Sequence, residues 1–312
     1  MTSLANYLHI FQTLNVNRAG GRVSPHKPCM LLAMLGLADA GLLEKNMIKF
    51  EPALLERYAR VFGAVCEPGD RLNPYFPFFH LRGDGFWHHQ AIPGREAVLA
   101  AMTTARSMSA ISDNIAYAYV SEDLHALIQD PPARASLREH LIVAWFGSRR
   151  MDIERVLQEE QASDVYESTL RGTATALVAQ SAPVEPPTRD AAFRRVVIER
   201  YDYRCAASGW RIVLPQGAMV EAAHIIPFSE SHDDDPRNGI ALTPSYHWAF
   251  DAGIISPGPD YKWHVSRTVD ARIADNRPLL ELDAKDLLMP ADRRDWPRKD
   301  ALEWRLRYFD LD

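Results

Sequence analysis

Three residues in the last third of the chain, His224, Asn238 and His247, lie 14 and 9 residues apart, and Asp251 follows four after the second histidine. These types suit the hydrolysis of a phosphate ester. An imidazole can take a proton from water near neutral pH. An imidazole and a carboxylate four apart on a helix share a face and can ligate a divalent cation. Singly, each has a plainer meaning: a strand histidine usually belongs to a core, and Asn-Gly is usually only a turn. Their coupling in one stretch is far rarer.

The flanking residues predict the elements that would position them. Residues 220–226 (VEAAHII) read as a short apolar strand ending at Pro227. Residues 229–237 (SESHDDDPR) read as a polar loop closed by the turn dipeptide Asn238-Gly239. Thr243 and Pro244 read as an N-cap and a first-turn proline. Residues 245–252 then form a short helix stopped by Gly253. On the strand, Glu221 and Ala223 point away from His224, so bringing Glu221 into the cluster requires a twist or a bulge.

The segments EAAHIIP and NGIALTPSYHWAFDAG, preceded by FRRVVIERYDYRCAASG, resemble the HNH endonucleases across residues 190–265. The resemblance implies a ββα-metal domain with His224 as general base on the attacking water. His247 and Asp251 would hold a divalent ion (Mg²⁺ or Mn²⁺, with Ni²⁺ or Zn²⁺ also suited). Asn238 would tie the loop or touch the metal. Two departures stand out. Many members carry two Cys-x-x-Cys pairs holding zinc, but Cys205 is the sole cysteine after residue 66, so four thiolate ligands are excluded. The position before the base often bears a metal-binding Asp or His, and here it is Ala223.

The first half reads as mixed α and β. Helices are expected over residues 4–14, 29–40, 54–62 and 137–146, with a short strand at 47–50. Residues 75–90 (YFPFFHLRGDGFWHHQ) read as two aromatic strands joined at Gly83-Asp84-Gly85. A glycine-bearing basic loop, RAGGRVSPHK at 18–27, runs into a helix start, where backbone amides with Arg18, Arg22, His26 and Lys27 could hold phosphate. Together SPHKPCMLLAML and YFPFFHLRGDGFW resemble the DNA sulfur-binding domain of phosphorothioate-dependent type IV restriction endonucleases, in which that domain precedes an HNH nuclease. The resemblance implies that His26 and Lys27 approach the modified phosphate and that Phe76, Pro77 and His80 form an apolar cup for sulfur. Arg82 joins the expected DNA contacts. A tyrosine is usual at the Phe76 position and a small residue at that of His80, so the cup here is shaped differently.

Composition sets the frame. With 312 residues, 47% hydrophobic and 24% charged, the chain is that of an ordinary globular protein with room for two cores. It has no run of 18 apolar residues and no signal-peptide pattern at its start. The three scattered cysteines suit a reducing compartment, so a cytoplasmic location without membrane contact is expected. Net charge is −6 overall, but residues 1–150 hold 15 Lys plus Arg against 13 Asp plus Glu, and the remainder 20 against 28. Local basic patches decide phosphate binding, so the total does not exclude DNA.

Residues 158–190 lose the aromatic character of their flanks and contain Pro183, Pro186 and Pro187, which reads as a linker. The expected organisation is therefore α+β. A mixed α/β recognition domain at 1–157 and a linker at 158–189 precede an HNH domain at 190–312. The expected function is metal-dependent cleavage of double-stranded, phosphorothioated DNA, with a homodimer allowed. Two alternatives stay open: an HNH restriction enzyme reading another mark such as a modified cytosine, and a non-catalytic DNA-binding protein with a degenerate HNH domain, which Ala223 favours.

Overall fold

The computed structural model describes residues 3–19, 22–172 and 185–311. The chain divides into two units, Met1–Asp164 with Leu214–Gly217, and Val165–Val213 with Ala218–Asp312, each with its own apolar core. Helices dominate and strands are few, an α+β architecture in both units. No helix among the described residues is long and apolar enough to cross a membrane.

In the first unit, α1 (Leu4–Gln12) buries Tyr7 and Phe11. Helix α2 (His26–Asp39) is apolar all round, and every residue from Cys29 to Leu35 is at most 1% exposed, so it forms the centre of the unit rather than a face of it. Gly41, at φ +71°, takes the left-handed conformation just past its end. Helix α3 (Pro52–Val65) packs beside α2 with Leu54, Tyr58, Val61 and Phe62 buried.

The expected aromatic hairpin is absent. Tyr75–His80 is a helix, α4, and Leu81–Asp84 continues as a 3-10 turn ended by Gly85 at φ +84°. Pro77 explains the difference: in the first turn of a helix it sacrifices no hydrogen bond, whereas inside a strand it would break the ladder. The aromatic residues after it do form a strand, β1 (Trp87–Ala91), but it pairs antiparallel with β2 (Ile115–Val120). The strand expected at 47–50 shrinks to a single bridge from Ile48 to Ala118. Helix α5 (Pro131–Phe146) opens with an Asp130 side-chain cap on Ala133 N and two prolines.

The stretch from 158, expected to be linker, is helical through Leu170 as the end of α6 (Arg150–Leu170), with Glu160, Ser163 and Glu167 buried. The expected linker residues 173–184 lie outside the described residues. In the second unit α7 (Pro186–Arg200) starts with two prolines and buries Phe193, Val196, Val197 and Ile198. Strands β3 (Glu221–His224) and β4 (Gly239–Leu242) pair antiparallel in regular register, Glu221 opposite Leu242 and His224 opposite Gly239. Strand β4 starts at Gly239, a residue expected to close a turn. Gly239 is extended, at φ −125°, and glycine is required there by packing: a Cβ would stand 2.5 Å from Val197 Cγ2 and 2.8 Å from Phe193 Cζ. Helix α8 (Pro244–Asp251) follows, with Pro244 in its first turn and Gly253 beyond its end at φ +67°. Thr243 stands at the N-cap, but its hydroxyl points to Cys205 Sγ at 3.7 Å instead of capping the helix. The C-terminal helix α9 (Lys299–Tyr308) buries Leu302, Arg305 and Leu306.

Candidate active site and DNA-contact cavity

Strand β3 ends at His224, whose ring lies flat on Phe193, centroids 3.9 Å apart and planes 4° from parallel. Its Nε2 lies 2.8 Å from Asp234 Oδ1. Asp234 is almost fully buried, and its other oxygen receives the Tyr166 hydroxyl at 3.0 Å and faces Arg189 Nε at 3.3 Å. The loop expected to be merely polar therefore divides its labour. Asp233 pairs with Arg298 at 2.8 Å, Asp234 with His224, and Asp235 with Arg237 at 2.6 Å.

Asn238 is wholly buried. Its Oδ1 accepts Ile226 N at 2.9 Å, and its Nδ2 donates to Ile226 O at 3.0 Å and Asp233 O at 3.1 Å. With both amide atoms committed to the backbone, Asn238 pins the loop to the strand end rather than presenting an atom to a metal. His247 lies between two carboxylates, Glu221 Oε2 at 2.7 Å from Nδ1 and Asp251 Oδ2 at 3.3 Å from Nε2. Glu221 reaches the imidazole from a regular strand, so the bulge that its contribution was expected to need is absent. Arg305, buried in α9, braces the motif by donating to Ile225 O at 2.9 Å and to Phe250 O, which joins the strand end to the helix end. Burial lowers its pKa to about 9.

In the first unit, a cavity of about 770 Å³ is lined by His26, Lys27, Phe76, Pro77, His80 and Arg82, six of the eight expected DNA contacts. Arg18 instead lines a neighbouring cavity of about 420 Å³, and the side chain of Arg22 lies outside the described residues. Several cavity groups are already engaged. Lys27 Nζ is buried 2.6 Å from Asp84 Oδ2, so it is an internal ion pair rather than a free phosphate-seeking charge. His26 Nδ1 lies 2.6 Å from the Tyr58 hydroxyl and the ring stacks on Phe62; burial lowers its pKa, against the pull of Asp70. Burial, then Lys27 and Arg82, lowers that of His80, which sits 3.1 Å from Thr104 Oγ1. Both imidazoles are thus biased toward the neutral form. Phe76 is partly exposed and stacks on His80, while Arg82 lies over Phe79 at 4.0 Å. Arg71 adds an exposed guanidinium that sequence reading missed.

Residues 5–159 match the family described as ScoMcrA-like, DNA sulfur-binding domain, and residues 205–256 match the HNH endonuclease family. The chain joins a ScoMcrA-like sulfur-binding domain to an HNH endonuclease domain. Among solved structures, the sulfur-binding domain of SprMcrA, complexed with phosphorothioated DNA, is 20% identical over 51% of this chain and 96% of that one, with a TM-score of 0.37. The modification-dependent TagI restriction endonuclease is 22% identical over 43% of each chain, with a TM-score of 0.31, so the similarity spans less than half of that enzyme. No curated protein matches the chain.

In the HNH domain the imidazole of His247 and the carboxylate of Asp251 have the donor chemistry to share one divalent ion. Two ligands bonded to one ion at about 2.0–2.2 Å sit roughly 3 Å apart, and His247 Nε2 and Asp251 Oδ2 are 3.3 Å apart. Among the described residues no group of three or more His, Cys, Asp or Glu is arranged as a metal cage. Tyr166, Arg189 and Arg305 all lie outside the matched HNH segment, and no local spacing ties them to His224. Asp234 sits in a run of three aspartates that spacing alone does not distinguish.

Proposed function

We propose that this protein is a metal-dependent DNA endonuclease of the modification-dependent, type IV kind, which binds phosphorothioated duplex DNA through its sulfur-binding domain and cuts it with its HNH domain. The observation that carries the reading is the order of the two matched domains on one chain. The cavity and the ββα geometry supply the physics.

Sulfur in place of a non-bridging phosphate oxygen is larger, more polarizable and a poorer hydrogen-bond acceptor. The Pro77 ring and the Phe76 edge, which line the same cavity as Arg71 and Arg82, can take up the sulfur beside groups that answer the phosphate charge. An ordinary oxygen in that cup would go without donors, a cost of about 1–3 kcal/mol, which corresponds to roughly tenfold to hundredfold discrimination. The residue at the small position is His80, which narrows the cup and which burial, then Lys27 and Arg82, bias toward the neutral form.

At the HNH site His224 takes the proton of the attacking water. Asn238 holds Ile226, two residues on, so that the strand end carrying His224 is fixed. His247 and Asp251 would hold the divalent ion, which when bound stabilises charge on the phosphate and on the leaving oxygen. Glu221 keeps the His247 ring turned toward Asp251. Cleavage is expected to leave 5′-phosphate and 3′-hydroxyl ends, and a DNA-directed nuclease of this kind would act in the cytoplasm.

The test is a pair of dissociation constants for His224→Ala at one fixed salt concentration, on duplexes identical except for the sulfur. Tighter binding of the modified duplex supports the reading. Equal constants across several sequences and both phosphorus stereoisomers would remove sulfur as the mark.

A further inference from the structure

We propose that Asp234 is a positioning residue that fixes the tautomer of His224, so that Nδ1 is the nitrogen that takes the proton of water. The inference rests on His224 being the base of the proposed nuclease. A carboxylate has only acceptors, so its 2.8 Å contact with Nε2 requires the proton to sit on that nitrogen. In the neutral ring the lone pair is then on Nδ1. Among the described residues no group bonds that atom. The ring cannot rotate to exchange its nitrogens cheaply, because one face lies 3.9 Å from Phe193 and Phe228 meets it edge-on at 5.9 Å.

The carboxylate is itself oriented. Its Oδ2 receives the Tyr166 hydroxyl at 3.0 Å and faces Arg189 Nε at 3.3 Å, while Arg189 also stacks over Phe228 at 3.6 Å. Tyr166 and Arg189 come from α6 and α7, outside the matched HNH segment. Their two donors determine what an amide would do in place of the acid. In Asp234→Asn the amide oxygen turns to Tyr166 and Arg189, and the amide nitrogen turns to His224 Nε2. That nitrogen must then accept, which moves the ring proton to Nδ1 and removes the lone pair that the water needs.

The test uses the full chain labelled with ¹⁵N-histidine, metal-free, at a pH where the imidazole is neutral. The His224 signals are identified by their loss in His224→Gln. The wild type should carry its proton on Nε2, and Asp234→Asn on Nδ1, with unchanged circular dichroism. Cleavage of a phosphorothioated duplex in Mn²⁺ should fall by on the order of 10²-fold or more in Asp234→Asn. Tyr166→Phe, which leaves Arg189 in place, should keep the wild-type tautomer and most of the rate. A tautomer that is the same in wild type and Asp234→Asn overturns the proposal, as does an Asp234→Asn protein that cuts at the wild-type rate. A tautomer that switches as described, in a wild type that cuts nothing, supports the Asp234 assignment and removes the nuclease reading instead.

Discussion

Glu221 Oε2 lies 2.7 Å from His247 Nδ1, so the histidine proposed as a metal ligand is oriented by a carboxylate on the neighbouring strand. Such a partner fixes the ring and strengthens the opposite nitrogen as a ligand, and its loss typically costs 10–100-fold in metal affinity. Glu221→Gln should therefore weaken Mn²⁺ binding by about that factor, measured by calorimetry, with no change in melting temperature. An unchanged affinity would show that the contact is incidental.

Lys27 behaves as a buried brace. Its ammonium touches Asp84, whose other oxygen accepts Asn15 N at 2.7 Å, and the carboxylate is 4% exposed. Removing the lysine strands that charge, so Lys27→Met should lower stability by about 3–5 kcal/mol in urea denaturation. Asp84→Asn added to Lys27→Met should restore most of the loss. Because the ammonium is spent inside the protein, the salt dependence of DNA binding should not change in Lys27→Met. A shallower slope would restore Lys27 as a phosphate contact.

His89 links the recognition domain to pH. Burial lowers its pKa to about 4, against the raising effect of its 2.9 Å contact with Phe78 O. The folded value lies below the unfolded one of about 6.5, so the native state holds fewer protons than the unfolded state between the two. The stability this contributes is complete above pH 6.5 or so and is lost as pH falls through about 4. Calorimetry on the full chain should show an acid-labile transition that His89→Gln makes much less dependent on pH in that window. Equal pH dependence in the two proteins would place the acid sensitivity elsewhere.

Much of this was legible in the sequence where one local pattern fixes one element. His224 on a strand, His247 and Asp251 on a proline-started helix, and the apolar helix after SPHK are of this kind. The failures share a cause. Residues 75–80 are an apolar run without period, which fits a buried helix as well as a strand, and Pro77 was the available tie-breaker. Gly239 looked like a turn residue because the reason for it, the close approach of Phe193 and Val197, is tertiary. Lys27 looked like a surface charge because its partner is 57 residues away, and Asp234 meets Tyr166 across 68. Spacing cannot report pairings of that range.

In the proposed function one domain reads sulfur and the other cuts. The most direct measurement compares initial cleavage rates, with the same divalent ion and salt, on two duplexes that differ only in one phosphorothioate, for wild type, Pro77→Asp and His224→Ala. The wild type should cleave the modified duplex at least about tenfold faster than the unmodified one. Pro77→Asp should lose that preference, because its carboxylate faces the charged phosphate, and His224→Ala should not cut at all. Equal wild-type rates on both duplexes, or cutting by His224→Ala at neutral pH, would contradict it.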